Sequence, residues 1–183
     1  MTINAAPLAA IFVAAVMLSS CATTSEPTPS TPTSTRTSPS PTAIAEALAE
    51  IPGFTTTAIN AVDVYPTFTN AQFSDVTAAI VNQKGDPVLR VVVGRLESGT
   101  SDAFVETFLS DLSARMAQAN PPKTVATELE QLDGHSVTHF HVSLGTEGYT
   151  YAQGSNVAIA ISTGGPESDA SRDAFTRILA NLA

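Results

Sequence analysis

From Ala43 onward the chain alternates apolar stretches with short polar breaks. "AIAEALAEI" spaces its apolar residues as a helix does and stops at Pro52-Gly53, which predicts one short helix. "FTTTAINAVDVYPTFTNAQ" follows neither period and reads at most as extended chain. "SDVTAAIVNQ" and "PVLRVVVGRLE" flank "KGD", which predicts two strands joined by a tight turn. With Lys84-Gly85 as the loop, Val76, Ala78 and Ile80 share a face with Leu89, Val91 and Val93, and that face is expected to be buried. The other face keeps Ala79, Val81, Val88 and Val92, more apolar than water favours. It is expected either to lie under the stretch from Phe54 to Gln72 or to be a docking surface.

"GTSDAFVETFLSDLSARMAQ" then predicts a helix with Thr100 or Ser101 as its N-cap and Asp102 and Glu106 in its first turns. Phe104, Phe108, Leu112 and Met116 recur at helical spacing, with Val105 and Leu109 beside them. "NPPK" stops it. Four strands follow, "TVATELEQL", "HSVTHFHVS", "GYTYA" and "NVAIAIS", broken at Asp133-Gly134, Gly145 to Gly148 and Gly154. The segment "GGPESDASRDAFTRILANL" closes the chain with a helix whose stripe is Phe175, Ile178, Leu179 and Leu182.

Two strands, a helix, four strands and a helix predict an α+β fold. Strands joined by short turns pair antiparallel, so the expectation is one antiparallel sheet of about six strands with both helices on one face. This order, with the "LDGHSVTHFHVS" hairpin leading to a terminal helix, resembles the Mog1/PsbP-like α+β fold. It also resembles small actinobacterial lipoproteins built on that plan. The resemblance covers about Phe73 to Leu182. It implies a binding or accessory protein more than an enzyme, and it transfers no functional residue.

The first forty residues have a different character. Leu8 to Leu18, "LAAIFVAAVML", is an eleven-residue apolar run. A helix needs about 20 residues to cross the ~30 Å of a bilayer core, so the run suits a signal peptide and not a span. Leu18, Ser19, Ser20 and Cys21 follow it directly. "LSSC" resembles the bacterial lipobox, which implies a diacylglycerol on the Cys21 sulfur, with palmitate as the acyl type, and cleavage before Cys21. The alternatives are a core cysteine, against which the flanks argue, and simple secretion. Residues 1 to 7 carry no Lys or Arg, a departure from such signals that is met by an unusual signal or by a start further upstream.

From Ala22 to Thr42 only Ala22, Glu26 and Arg36 are not Ser, Thr or Pro. Such a segment has no apolar surface to offset the entropy of ordering, so it is expected to be a disordered spacer. At ~3.1 Å per residue it reaches at most about 65 Å. Its hydroxyls also allow glycosylation. The expected organisation is a signal peptide over 1–20, lipidated Cys21 with its spacer over 21–42, and one domain over 43–183. The expected place is the extracytoplasmic face of the bacterial cell membrane.

Net charge is −9, with 8 Lys and Arg against 17 Asp and Glu. The basic residues are scattered, so no stripe exists to neutralise nucleic-acid phosphates, and no polybasic patch exists to hold anionic lipid. The membrane is expected to be reached through the lipid alone, with the chain otherwise acting as a monomer. Cys21 is the only cysteine, so no disulfide is expected.

All three histidines fall in "GHSVTHFH". His135, His139 and His141 share parity and point the same way along a strand. With Asp133-Gly134 as a two-residue loop, Leu132 faces His135, Glu128 faces His139 and Ala126 faces His141. The opposite face, with Val125, Leu129, Phe140 and Val142, is expected to be the core side, and the histidine face the outer one. Glu128, His139 and His141 are then a candidate metal site, for zinc or copper, built from two histidines and a carboxylate. The plainer alternative is a solvated face with a Glu128–His139 pair. No nucleophile elbow, glycine-rich phosphate loop or catalytic carboxylate pair is legible, and no cofactor is expected. The functional expectation is an envelope lipoprotein that binds a partner protein or an apolar ligand. A metal-binding protein or metal-dependent enzyme is the alternative.

Overall fold

The computed structural model describes residues 41–163 and 169–182. Cys21, the apolar run before it and nearly all of the spacer lie outside the described residues. The first helix, α1, spans Pro41–Glu46, and a turn takes over after it. Ile44, Ala47, Leu48 and Ile51 nevertheless keep the helical spacing of the sequence and are all buried.

Phe54 to Gln72, aperiodic in sequence, contains a short strand β1 (Thr55–Ala58), one turn of helix α2 (Ala61–Val64) and a 3-10 turn at Asn70–Gln72. The predicted hairpin is β2 (Phe73–Gln83) and β3 (Asp86–Leu96), followed by helix α3 (Ser101–Ala117). A meander of β4 (Val125–Leu132), β5 (His135–Val142), β6 (Thr146–Gln153) and β7 (Asn156–Ser162) leads to helix α4 (Asp169–Leu182). The seven strands form one antiparallel sheet in the order β1-β2-β3-β7-β6-β5-β4. The count exceeds the expected six by β1, whose four residues are too few to show an alternation.

Helices cover both faces of the sheet, not one. Phe175, Ile178 and Leu179 of α4 pack with Ile44, Leu48 and Ile51 over Ala79, Val91, Val93, Tyr149, Ala158 and Ala160. On the other face Val105, Phe108 and Leu112 of α3 join Val64, Tyr65 and Phe68 over Ala78, Val92, Phe140, Val157 and Ile159. The central strands therefore bury consecutive residues, Val91 to Val93 and Val157 to Ala160. Strands covered on both faces read as near-continuous apolar runs, which is how "RVVVG" and "NVAIAI" do read.

The hairpin faces also differ from expectation. Lys84 and Gly85 form the loop, both at positive φ, and Gln83 pairs with Asp86 as a two-residue loop requires. A register shift between Val81 and Asn82 then slips the pairing by one, so Ala79 opposes Val91 and Ala78 opposes Val92. A one-residue slip exchanges faces. Ala79, Val81 and Val88 accordingly pack on the α4 side, and Val92 on the α3 side. Ile51 and Phe54 pack with the first group and the stretch from Ala61 to Phe68 with Val92, so Val81 and Val92 are core and Val88 packs half-buried at its margin.

A polar contact fixes the covering segment on α3. The Tyr65 hydroxyl donates to Asp111 Oδ2 at 3.0 Å, and Arg115 Nε donates to the same oxygen at 2.8 Å. The guanidinium carbon lies 5.7 Å from the centre of the Tyr65 ring. Burial, then the hydrogen bond to Asp111, pushes the Tyr65 hydroxyl up to about 12. The hydrogen bond from Arg115 holds the Asp111 carboxyl below its ordinary value.

Candidate functional site

The β4–β5 hairpin has the predicted register. Asp133 and Gly134 both take positive φ, Leu132 pairs with His135, Glu128 with His139 and Ala126 with His141. The histidine face is not the outer one, however. It is the face that α4 covers, and His139 sits at the margin of that cover. The row Glu128–His139–Tyr149–Ala160 crosses four strands. The His139 ring stacks on Tyr149 at 4.8 Å, and Tyr149 stacks on Phe175 of α4 at 5.3 Å.

His139 lies between two carboxylates. Its Nδ1 is 3.1 Å from Glu128 Oε1, and its Nε2 is 3.7 Å from Glu147 Oε2, beyond hydrogen-bond length. The His139 side chain is 9% exposed, Glu147 19% and Glu128 67%, so the Glu128 bond closes the outer side of the ring. Of the three candidate ligands, the structure brings Glu128 to His139 and leaves His141 exposed, its ring centre 6.3 Å away. His135 packs edge-on against Tyr151 at 5.5 Å. Nδ1 of His139 thus faces Glu128 Oε1. Among the described residues no group of three His, Cys, Asp or Glu side chains is arranged to hold a metal ion.

Sequence reading missed Glu147, because it lies in the stretch Gly145 to Gly148 taken there as a break. β6 begins at Thr146, and Glu147 opposes His141 within it. A glutamate on the same parity as Tyr149 and Tyr151 was the available signal.

The opposite face corrects a second expectation. Phe140 and Val142 are core, but Leu129 is 82% exposed. Leu129, Thr138 and Thr150 form one row across β4, β5 and β6, at a place where α3 no longer presses on the sheet. The result is a cleft of about 320 Å³ open to solvent. Its strand wall is Leu129, Thr138, Thr150 and Ala152, and its helix wall is Val105 and Leu109 with the exposed carboxylates Asp102 and Glu106. Such a volume is at the lower end of that of ligand clefts.

No family model, no curated protein and no solved structure matches the chain.

Proposed function

We propose that this chain is a lipoprotein of the bacterial envelope. Diacylglycerol on Cys21 holds it at the extracytoplasmic face of the membrane, the Ser/Thr/Pro segment tethers it, and the folded domain binds another envelope protein without chemistry of its own. Leu18-Ser19-Ser20-Cys21 directly after the short apolar run supports the anchor. Two lipid chains hold a protein where a single chain does not. The observation that carries the binding role is the open cleft between α3 and β4–β6, with Leu129 exposed at its lip. The second face of the first hairpin, which also suggested a docking surface for a partner protein or an apolar ligand, packs against the two cores and adds no support.

Mass spectrometry of the membrane fraction tests the anchor. The expected N-terminal peptide starts at Cys21 and carries the mass of the lipid, and Cys21→Ala moves the protein out of the membrane fraction. An unmodified Cys21 in the mature protein removes this half of the proposal. For the binding role, in-cell cross-linking of the full chain is expected to return one partner in reproducible yield. No cross-linked species at any linker length would reduce the domain to a purely structural role.

A further inference from the structure

We propose that the outer edge of β4 accepts an eighth strand from a partner protein, an extended segment in which basic and apolar residues alternate. This rests on the binding role proposed above and gives it a surface and a partner chemistry. β4 ends the sheet order, and among the described residues it pairs on one side only, with β5. The other edge strand, β1, has four residues, whereas β4 has eight.

Long open edges invite strand addition, and proteins normally blunt them with charged side chains, lysine above all, with proline or with a bulge. β4, "VATELEQL", contains no lysine or proline, and its register with β5 runs unbroken from Val125 to Leu132. What it presents instead is specific. Glu128 and Glu130 point to one face, Leu129 points to the other, and Ala126 to Leu129 are exposed. Glu130 is joined to Arg172 of α4, which holds it in place at the edge.

A second copy of this chain is the wrong occupant. A two-fold axis normal to the sheet sets each residue opposite one of the same parity. In the registers centred on Glu128 or on Leu129, Glu128 then meets Glu128 or Glu130, and in the one centred on Thr127 it meets Ala126 and gains no opposite charge. Like charges directly opposite destabilise a strand pair. A strand with Lys or Arg opposite Glu128 and Glu130, and an apolar residue opposite Leu129, turns that repulsion into two cross-strand ion pairs. Its apolar side chain then lies over the cleft beside Leu129 and Leu109. Asp102 and Glu106 on the helix wall, and the net charge of −9, favour a cationic partner further. Main-chain pairing supplies affinity and the alternate side chains supply selectivity, as in other strand-addition complexes.

The test uses the full chain in detergent micelles and three labelled peptides, read by fluorescence anisotropy. One has the sequence T-K-V-K-V-K-V-T. The second replaces each lysine with glutamate. The third is the lysine peptide N-methylated at alternate residues along the edge that would pair. The lysine peptide is expected to bind at least about tenfold more tightly than the glutamate peptide, since two ion pairs replace two repulsions. N-methylation is expected to abolish binding, and hydrogen exchange to slow at β4 amides only when the lysine peptide is present. Leu129→Arg, at an exposed position that leaves the fold alone, is expected to remove binding. Equal affinity for lysine and glutamate peptides, or for the N-methylated one, overturns the proposal. So does a dimer that forms without peptide and buries β4. Should cross-linking in cells still return its partner while the lysine peptide fails, the binding role stands and the β4 edge is the wrong surface.

Discussion

Gly148 has no room for a side chain. A Cβ there would collide with the Ala160 carbonyl and with the ring of Phe140, its cross-strand partner in β5. Phe140 is fully buried against Phe108 of α3, so neither obstacle can move aside. Gly148→Ala is expected to cost ~1–3 kcal/mol in urea denaturation, in the range of other overpacked sites. Adding Phe140→Leu should not recover it, because the Ala160 carbonyl is backbone. At the neighbouring row the expectation divides by burial. Glu128→Ala should cost under ~1 kcal/mol, since the carboxylate it removes is mostly in solvent. His139→Ala, which removes a buried ring stacked on Tyr149, should cost about 2 kcal/mol or more. Equal losses would mean that the pair, not the stack, holds the ring. The histidine register was legible because Asp133-Gly134 is a two-residue loop that fixes pairing by geometry. Glu147 was not, because a strand that starts inside a glycine-rich break gives no alternation to count.

Among the elements, β2 to β7, α3 and α4 were legible from period and breaks alone. The faces were not. The bulge at Val81–Asn82 leaves no mark on composition, yet it shifts the pairing of every residue from Val81 back to Asp75. Leu129 was assigned to the core because it alternates correctly, but α3 passes it by, and helix placement is a tertiary matter. The contact between Tyr65 and α3 offers a test at this scale. The native hydroxyl holds its proton up to about 12, against 10.0 for a free tyrosine, so the native state binds more protons than the unfolded chain between those values. That contribution is complete below pH 10 and is lost as pH rises to 12. Tyr65→Phe is expected to cost ~1 kcal/mol at neutral pH and to flatten the alkaline fall in stability. An unchanged slope in thermal melts across that range would locate the alkaline sensitivity elsewhere. At the far side of the sheet, Asn181 Nδ2 donates to the Ala47 and Glu50 carbonyls, tying α4 to the turn after α1. Asn181→Ala should cost about 1 kcal/mol and raise hydrogen exchange from Ile44 to Ile51 before elsewhere.

At the scale of the whole molecule the sheet is a layer between two helical covers, with α4 and α1 on one side and α3 with the stretch from Ala61 to Phe68 on the other. The chain lays down β1 to β3, crosses by way of α3 to the far edge, and returns strand by strand until β7 fills the space between β6 and β3. Among the described residues β7 is thus the only strand that joins the two halves of the sheet, and Leu89 waits for Ser162, about seventy residues later, to complete its ladder. A chain made or threaded from its N-terminus cannot close early. Its first three strands hold an unfinished edge until β7 has emerged. A fragment ending at Gln153 is accordingly expected to show no cooperative unfolding transition, although it keeps six of the seven strands.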